Sequence, residues 1–446
     1  MRREHPLSAP YVAQFTEARA TLPGHGLAWL SGLRDKAIAR FSSLDFPTPK
    51  VEEWKFTNLA PLTKTVFGPG PAKADEDAGD AVQGFLMEET PCHLLVFVDG
   101  RYRPRLSALG DLPAGAEVTT LAAALKARPD MLESHLSGGT DIGEKPFVAL
   151  NTAFMADGAV LTLEPGVALE RPVHFLYMAS AHEAPVVTHP RTLVLAGRGS
   201  AATVLESYIG TGSQTYWTNA VTDVVVDEGA ALKHYRLQAE GAKAFHIATT
   251  EVRLARDSRY ESFVLAVGGR LARNEIAAAL NGTNIDCRLS GAYLARDRQH
   301  IDNTTFIDHA QPESHSRQVY KGVLDGKAHA VFQGKIVVRP QAQKTDAHQL
   351  NKNLLLSETS RVDTKPELEI HADDVKCSHG ASVGELDAEA LFYMRARGID
   401  ARHARNLLIE AFVGETFEHI SFPPVRAHLE RMASSWLPSR HQGGAP

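Results

Sequence analysis

A cysteine and a histidine two residues apart are the strongest candidates for chemistry in this chain. Cys377 and His379 lie within residues 365–399, KPELEIHADDVKCSHGASVGELDAEALFYMRARGI. On a strand, an i, i+2 spacing turns both side chains to one face. A thiolate and an imidazole aimed the same way are suitable ligands for iron or zinc. His371, Asp373 and Asp374 stand just upstream and could reach the same region. As a nucleophile and base, the pair would want an orienting carboxylate, for which Asp373 or Asp374 could serve, and an oxyanion hole. A direct thiolate–imidazole hydrogen bond within one strand is awkward, however. A core thiol beside a surface histidine gives the same spacing, so metal, nucleophile and packing readings stay open on these residues alone.

The rest of the chain narrows the choice. Its three cysteines, Cys92, Cys287 and Cys377, are far apart and form no disulfide framework, which suggests a reducing, cytoplasmic setting. They cannot give a cluster four thiolates, so such a site would need other ligand types or a second chain. Cys92 and Cys287 sit in or beside apolar strands and read as core residues. His234, His246, His300, His309, His315, His329 and His348 read as decoration of strand faces. His309, His315 and His348 recur in successive repeats and could align as a polar column, though not as a metal site. No phosphate loop, dinucleotide fingerprint, nucleophile elbow or HExxH motif is present, so the chain is not expected to hydrolyse ATP. A net charge of -6 over 446 residues argues against a nucleic-acid surface. The N-terminus, MRREHPLSAPYVAQF, lacks the apolar h-region of a secretory signal. No apolar run approaches the roughly 20 residues of a membrane span.

Three segments must position these groups. Residues 1–85 read as a helical region with a linker. Ser8 is expected to cap a helix carrying Val12 and Phe15, and a second runs through Leu27, Leu30, Leu33, Ala37 and Phe41. VEEWKFTNLAPL follows at 51–62, and residues 68–80 have linker composition. From 86 to 384 the chain is mainly β. Turns recur near Gly166, Gly199, Gly229, Ser258, Gly282, Pro312, Gln341 and Asp373, roughly 25–33 residues apart, in the range of repeat architectures. A sandwich should turn every 8–12 residues or so, and a doubly wound sheet needs crossover helices that the later units lack. A parallel β-helix fits better, with open ends whose strand edges need cover. Residues 385–446 are helical again. Asp387 and Asp400 are expected caps and Pro423 a helix start, and the helices could close the solenoid or offer a docking surface.

PELEIHADDVKCSHGASVGELDAEALFYMRARGI resembles the C-terminal signature of the SufB/SufD family of iron–sulfur cluster assembly proteins, in its SufD form. VEEWKFTNLAPL is similar to the family's N-terminal EEW-K-(F/Y)-T motif. The resemblance implies a right-handed parallel β-helix core flanked by N- and C-terminal helical regions. It implies a non-catalytic scaffold subunit of a SufBCD-type complex, not an enzyme. The core would pair with the SufB paralogue, and the C-terminal helices would dock the SufC ABC-type ATPase. Leu407, Leu408 and Phe412 are the docking candidates. His379 matches the family histidine at the paralogue interface, and Cys377 the motif cysteine. The iron–sulfur cluster would be transient and shared with the partner. Residues 345–360, TDAHQLNKNLLLSETS, hold no cysteine where SufB should bring one, which favours the SufD form. A homodimer stays open to the chain in isolation. The competing readings are SufB itself, a polysaccharide-acting β-helix enzyme, and a structural adaptor without metal contact.

Overall fold

Left-handed backbone marks one corner of the structure, a computed structural model that describes residues 6–70, 79–87, 90–139, 142–181, 183–210 and 212–437. Gly166, Gly199, Gly229, Asp257, Asn284, Glu313 and Lys344 all have positive φ. Each lies where the chain passes from a strand of one sheet to a strand of the other. Glycine takes this conformation freely, and Asp and Asn tolerate it better than most residues. It turns the backbone N–H toward the next coil. Gly166 donates to Arg198 O, Gly199 to Glu228 O, Gly229 to Arg256 O, Asp257 to Thr283 O, Glu313 to Gln343 O and Lys344 to Asp374 O, at 2.6–3.0 Å. All eight turn positions expected from the sequence fall in this corner.

The result is a parallel β-solenoid of about 8 turns. One sheet ends in the order Phe245–Leu254, Leu271–Leu280, His300–His309, His329–Val338 and Arg361–Ile370; the other ends in Arg259–Ala266, Asp286–Ala295, His315–Leu324, Asp346–Leu355 and Lys376–Gly384. Neighbouring coils pair without a register slip, as from Asp286↔His315 to Ala295↔Leu324. The apolar core lies between the sheets, with Ile276, Leu289, Ile307, Tyr320, Phe332 and Ile336 buried there.

Helices cover the outer faces. Ala9–Ala18, Ala28–Leu44 and Pro146–Phe154 lie on the first sheet, where Phe41, Phe46, Phe147, Trp217 and Phe245 form an aromatic cluster. Ser8 precedes the first helix as expected but does not cap it. Its backbone is already helical (φ -73°, ψ -19°), and its buried Oγ has no hydrogen-bond partner among the described residues. Leu121–Ala127, Pro129–Gly139 and Pro146–Phe154 are helices inside the stretch read as solenoid. Pro146–Phe154 is buried along nearly its whole length, and a short apolar run does not disclose its period. The linker reading at 68–80 falls partly on residues 71–78, outside the described residues.

The EEW-K-F-T stretch clasps the first sheet's outer face. Arg273 lies over the Trp54 ring, 4.1 Å from its centre. Thr57 Oγ1 donates to Asp302 Oδ2 at 2.5 Å, and Gln333 Nε2 donates to Glu53 O. Lys365 of the last coil pairs with Glu52 at 2.7 Å.

At the C-terminus, Asp387 accepts from the N–H groups of Glu389 and Ala390, capping Ala388–Ala396. Asp400 accepts from Arg402 and His403, capping Ala401–Phe417. Pro423–Trp436 begins on proline. Ile409, Val413, Phe417, Val425 and Leu429 pack on Phe263, Leu294 and Val323 of the second sheet. These helices run along the side of the solenoid and leave its end open. No helix is long and apolar enough to cross a membrane among the described residues.

Candidate functional site at the open end

Two strands end the solenoid. Arg361–Ile370 pairs with His329–Val338, Lys376–Gly384 pairs with Asp346–Leu355, and each leaves its other edge free among the described residues. Such an edge is a row of unpaired backbone donors and acceptors.

Register fixes where Cys377 and His379 point. Cys377 pairs with Ala347 and His379 with Gln349. Ala347, Gln349 and Asn351 are all buried toward the interior, so both candidates continue inward-facing rows into the mouth of the solenoid. Cys377 is half-buried and packs on the core, whereas His379 is exposed. Burial pushes the Cys377 thiol up and Asp346 adds to the rise, partly offset by a backbone hydrogen bond at Ala347. Cys377 is therefore a thiol near neutral pH, and metal binding would release its proton. Above His379, Gln349 Nε2 donates to Gln318 Oε1 at 3.3 Å, and Gln318 Oε1 accepts from Thr305 Oγ1 at 2.6 Å. Gly334 leaves room for that amide; a Cβ there would lie 1.9 Å from Gln349 Nε2.

Nothing else joins the pair. His371, Asp373 and Asp374 lie on the exposed corner before the strand, with no side-chain hydrogen bond to Cys377 or His379 among the described residues. Nor do the described residues contain a group of three or more His, Cys, Asp or Glu able to hold a metal. Among the described residues this end offers two candidate ligands, Cys377 and His379. Cys287 is buried deeper in the inward row of Cys377, and burial pushes its thiol far up. Cys92 is half-buried with its thiol pushed up to about 11 by burial. The polar column does not form. His309 is buried between the sheets against Ser316 Oγ, while His315 and His348 face outward beside Asp346.

Residues 6–175 match the SufBD protein N-terminal region, and residues 177–412 match the SUF system FeS cluster assembly SufBD core domain. The chain belongs to the SufBD family. A SufBD family protein of Synechocystis is 33% identical to it over 94% of both chains. Two proteins named SufD are also similar: that of Escherichia coli at 32% identity over 83% of this chain and 85% of its own, and that of Bacillus subtilis at 27% over 90% and 92%. A chloroplastic Arabidopsis protein is 31% identical over 94% of this chain and 89% of its own. Membership assigns this SufBD protein a role in iron–sulfur cluster assembly.

On the C-terminal helices, Leu407, Leu408 and Phe412 are half-buried. Lys321 Nζ sits 4.7 Å from the Phe412 ring centre and donates to Phe412 O, so this residue ties its helix to the solenoid. The large apolar side chains exposed on these helices are Phe392 and Tyr393, at 74% and 57%. Sequence reasoning missed them, although both lie off the Leu391–Met394 face of their helix.

Proposed function

We propose that this chain is the SufD-type, non-catalytic scaffold subunit of a SufBCD-type complex. The uncovered last coil carries the reading: two free strand edges frame a cysteine and a histidine too few to hold a cluster alone. Edge-to-edge pairing with a SufB paralogue would satisfy the open backbone groups. It would bring a partner thiolate to the seam beside His379 and Cys377. The inward positions of Asp346–Leu355 are Ala347, Gln349, Asn351 and Asn353, which supports the partner as source of the main thiolate. The cluster is cargo in this reading. A ligand thiol must lose its proton and an imidazole must be neutral to bind iron, so protons compete with the metal and such a pair would give it up readily. A SufC-type ATPase would dock on the C-terminal helices, with Phe392 and Tyr393 more accessible than Leu407, Leu408 or Phe412. The names of the SufD relatives support an assembly role, and three free, widely separated cysteines support a reducing, cytoplasmic setting.

His379→Ala should leave the chain folded and still bound to its paralogue, but lower the cluster yield of the reconstituted complex severalfold, read by absorbance and iron content. Cys377→Ser should lower it less. Wild-type yield from His379→Ala would remove the imidazole from the site.

A further inference from the structure

The other corner of the solenoid carries a feature apart from Cys377 and His379. A groove of about 1200 Å³ runs across the loops at 240–244, 267–271, 296–299 and 326–329. Lys243, Arg270, Arg298 and Lys327 line it, all exposed. None of the four forms an ion pair among the described residues; Arg270 only overlies the Phe245 ring, 5.8 Å from its centre. The lining acids are Glu240, buried against His246 and Thr218, and Asp297. A chain of net charge -6 thus gathers surplus positive charge along one furrow.

The floor is charge-balanced, and the N-terminal motif sets it. Thr57 gives its one hydroxyl proton to Asp302, so His300 Nε2 must donate to Thr57 Oγ1, 2.9 Å away. Burial lowers the His300 pKa to about 4, so the ring is neutral and its Nδ1 accepts. Its partner there is His329 Nδ1 at 3.0 Å, and His329 Nε2 lies 2.7 Å from Asp363 Oδ2. His329 thus bridges His300 and the Asp363 carboxylate, which Arg361 balances at 2.8 Å. Arg273 likewise balances Asp302. The four rim cations form no ion pair among the described residues, though Asp297 stands exposed in the same lining, and Phe56 and Asn58 of the motif close one side.

We propose that this groove binds a phosphate-bearing small molecule, its charges held by Lys243, Arg270, Arg298 and Lys327. Successive coils lie about 4.8 Å apart, so the cations form a ladder suited to an anion with several charges in line. Guanidinium forks and ammonium point charges are the usual partners of phosphate oxygens. The Phe56 ring offers an apolar face to the remainder of the ligand.

Calorimetric titration of the full chain with inorganic tripolyphosphate, at physiological ionic strength, tests this. Saturable one-to-one binding is expected, with citrate at least about tenfold weaker. Arg270→Ala with Lys327→Ala should weaken tripolyphosphate binding at least about tenfold. Arg105→Ala with Lys126→Ala, an equal charge change on exposed residues elsewhere, should leave it unchanged. Unaltered melting curves for both double variants would show that the fold survives. No saturable binding, equal affinity for citrate, or equal losses in the two double variants would each overturn the proposal.

Discussion

Buried charge inside the solenoid shows how single residues hold the scaffold. Glu206 is fully buried between the sheets. Burial disfavours its charge, but Arg236 and the hydrogen bond with His234 outweigh that and lower its pKa to about 2. Tyr208 and Thr222 donate to the same carboxylate. Removing one member of such a set strands the other. Arg236→Met should destabilise the chain by about 3–5 kcal/mol, read by urea unfolding. Adding Glu206→Gln should recover much of the loss, because no uncompensated carboxylate remains. An equal loss in the single and double variants would deny the pairing. At the site itself, the i, i+2 spacing foretold that Cys377 and His379 share a face. It could not tell that the face turns inward, because that depends on pairing with Ala347 and Gln349 across a gap of 30 residues.

Among the elements, the C-terminal helices depend on histidines that stay neutral. His174 of the second sheet and His428 of Pro423–Trp436 have ring centres 6.5 Å apart. Burial lowers their pKa values to about 3 and about 4. His428 Nδ1 accepts from Arg431, and His174 Nε2 meets Ser207 Oγ. Once undocked, both rings would take protons near their ordinary value of 6.5. The undocked state therefore binds more protons between about 6.5 and 4, and docking weakens as pH falls through that window. Protection of the Pro423–Trp436 amides, taken relative to the intrinsic exchange rate at each pH, should fall as the pH drops from about 7.5 to 5, and His428→Leu should blunt the change. Protection that stays constant across this range would contradict this account. The Asp387 and Asp400 caps and the Pro423 start were legible because capping is local chemistry. Helices 121–154 were not, since their short apolar runs owe their form to packing on the first sheet. Nor did the EEW-K-F-T stretch reveal its partners Arg273, Asp302 and Lys365, which lie more than 200 residues away in the chain.

For the whole molecule, the body is closed on its sides and open at one end. Helices cover the outer faces of both sheets, and aromatic clusters seal the N-terminal region to the first. The eight turn signals made the solenoid readable, because each coil repeats the same corner. Which end stays open, and that the C-terminal helices lie beside it, follows from tertiary packing. An open end on a stable body suits the pairing proposed above, and the account rests on it. Hydrogen exchange of the last two strands, with and without the SufB paralogue, tests it most directly, using a concentration at which the isolated chain is monomeric. The account predicts that outward-edge amides of Arg361–Ile370 and Lys376–Gly384 exchange quickly alone and slow markedly in the complex, while interior strands do not change. Protection confined to the C-terminal helices, with the last two strands still exchanging freely, would contradict it.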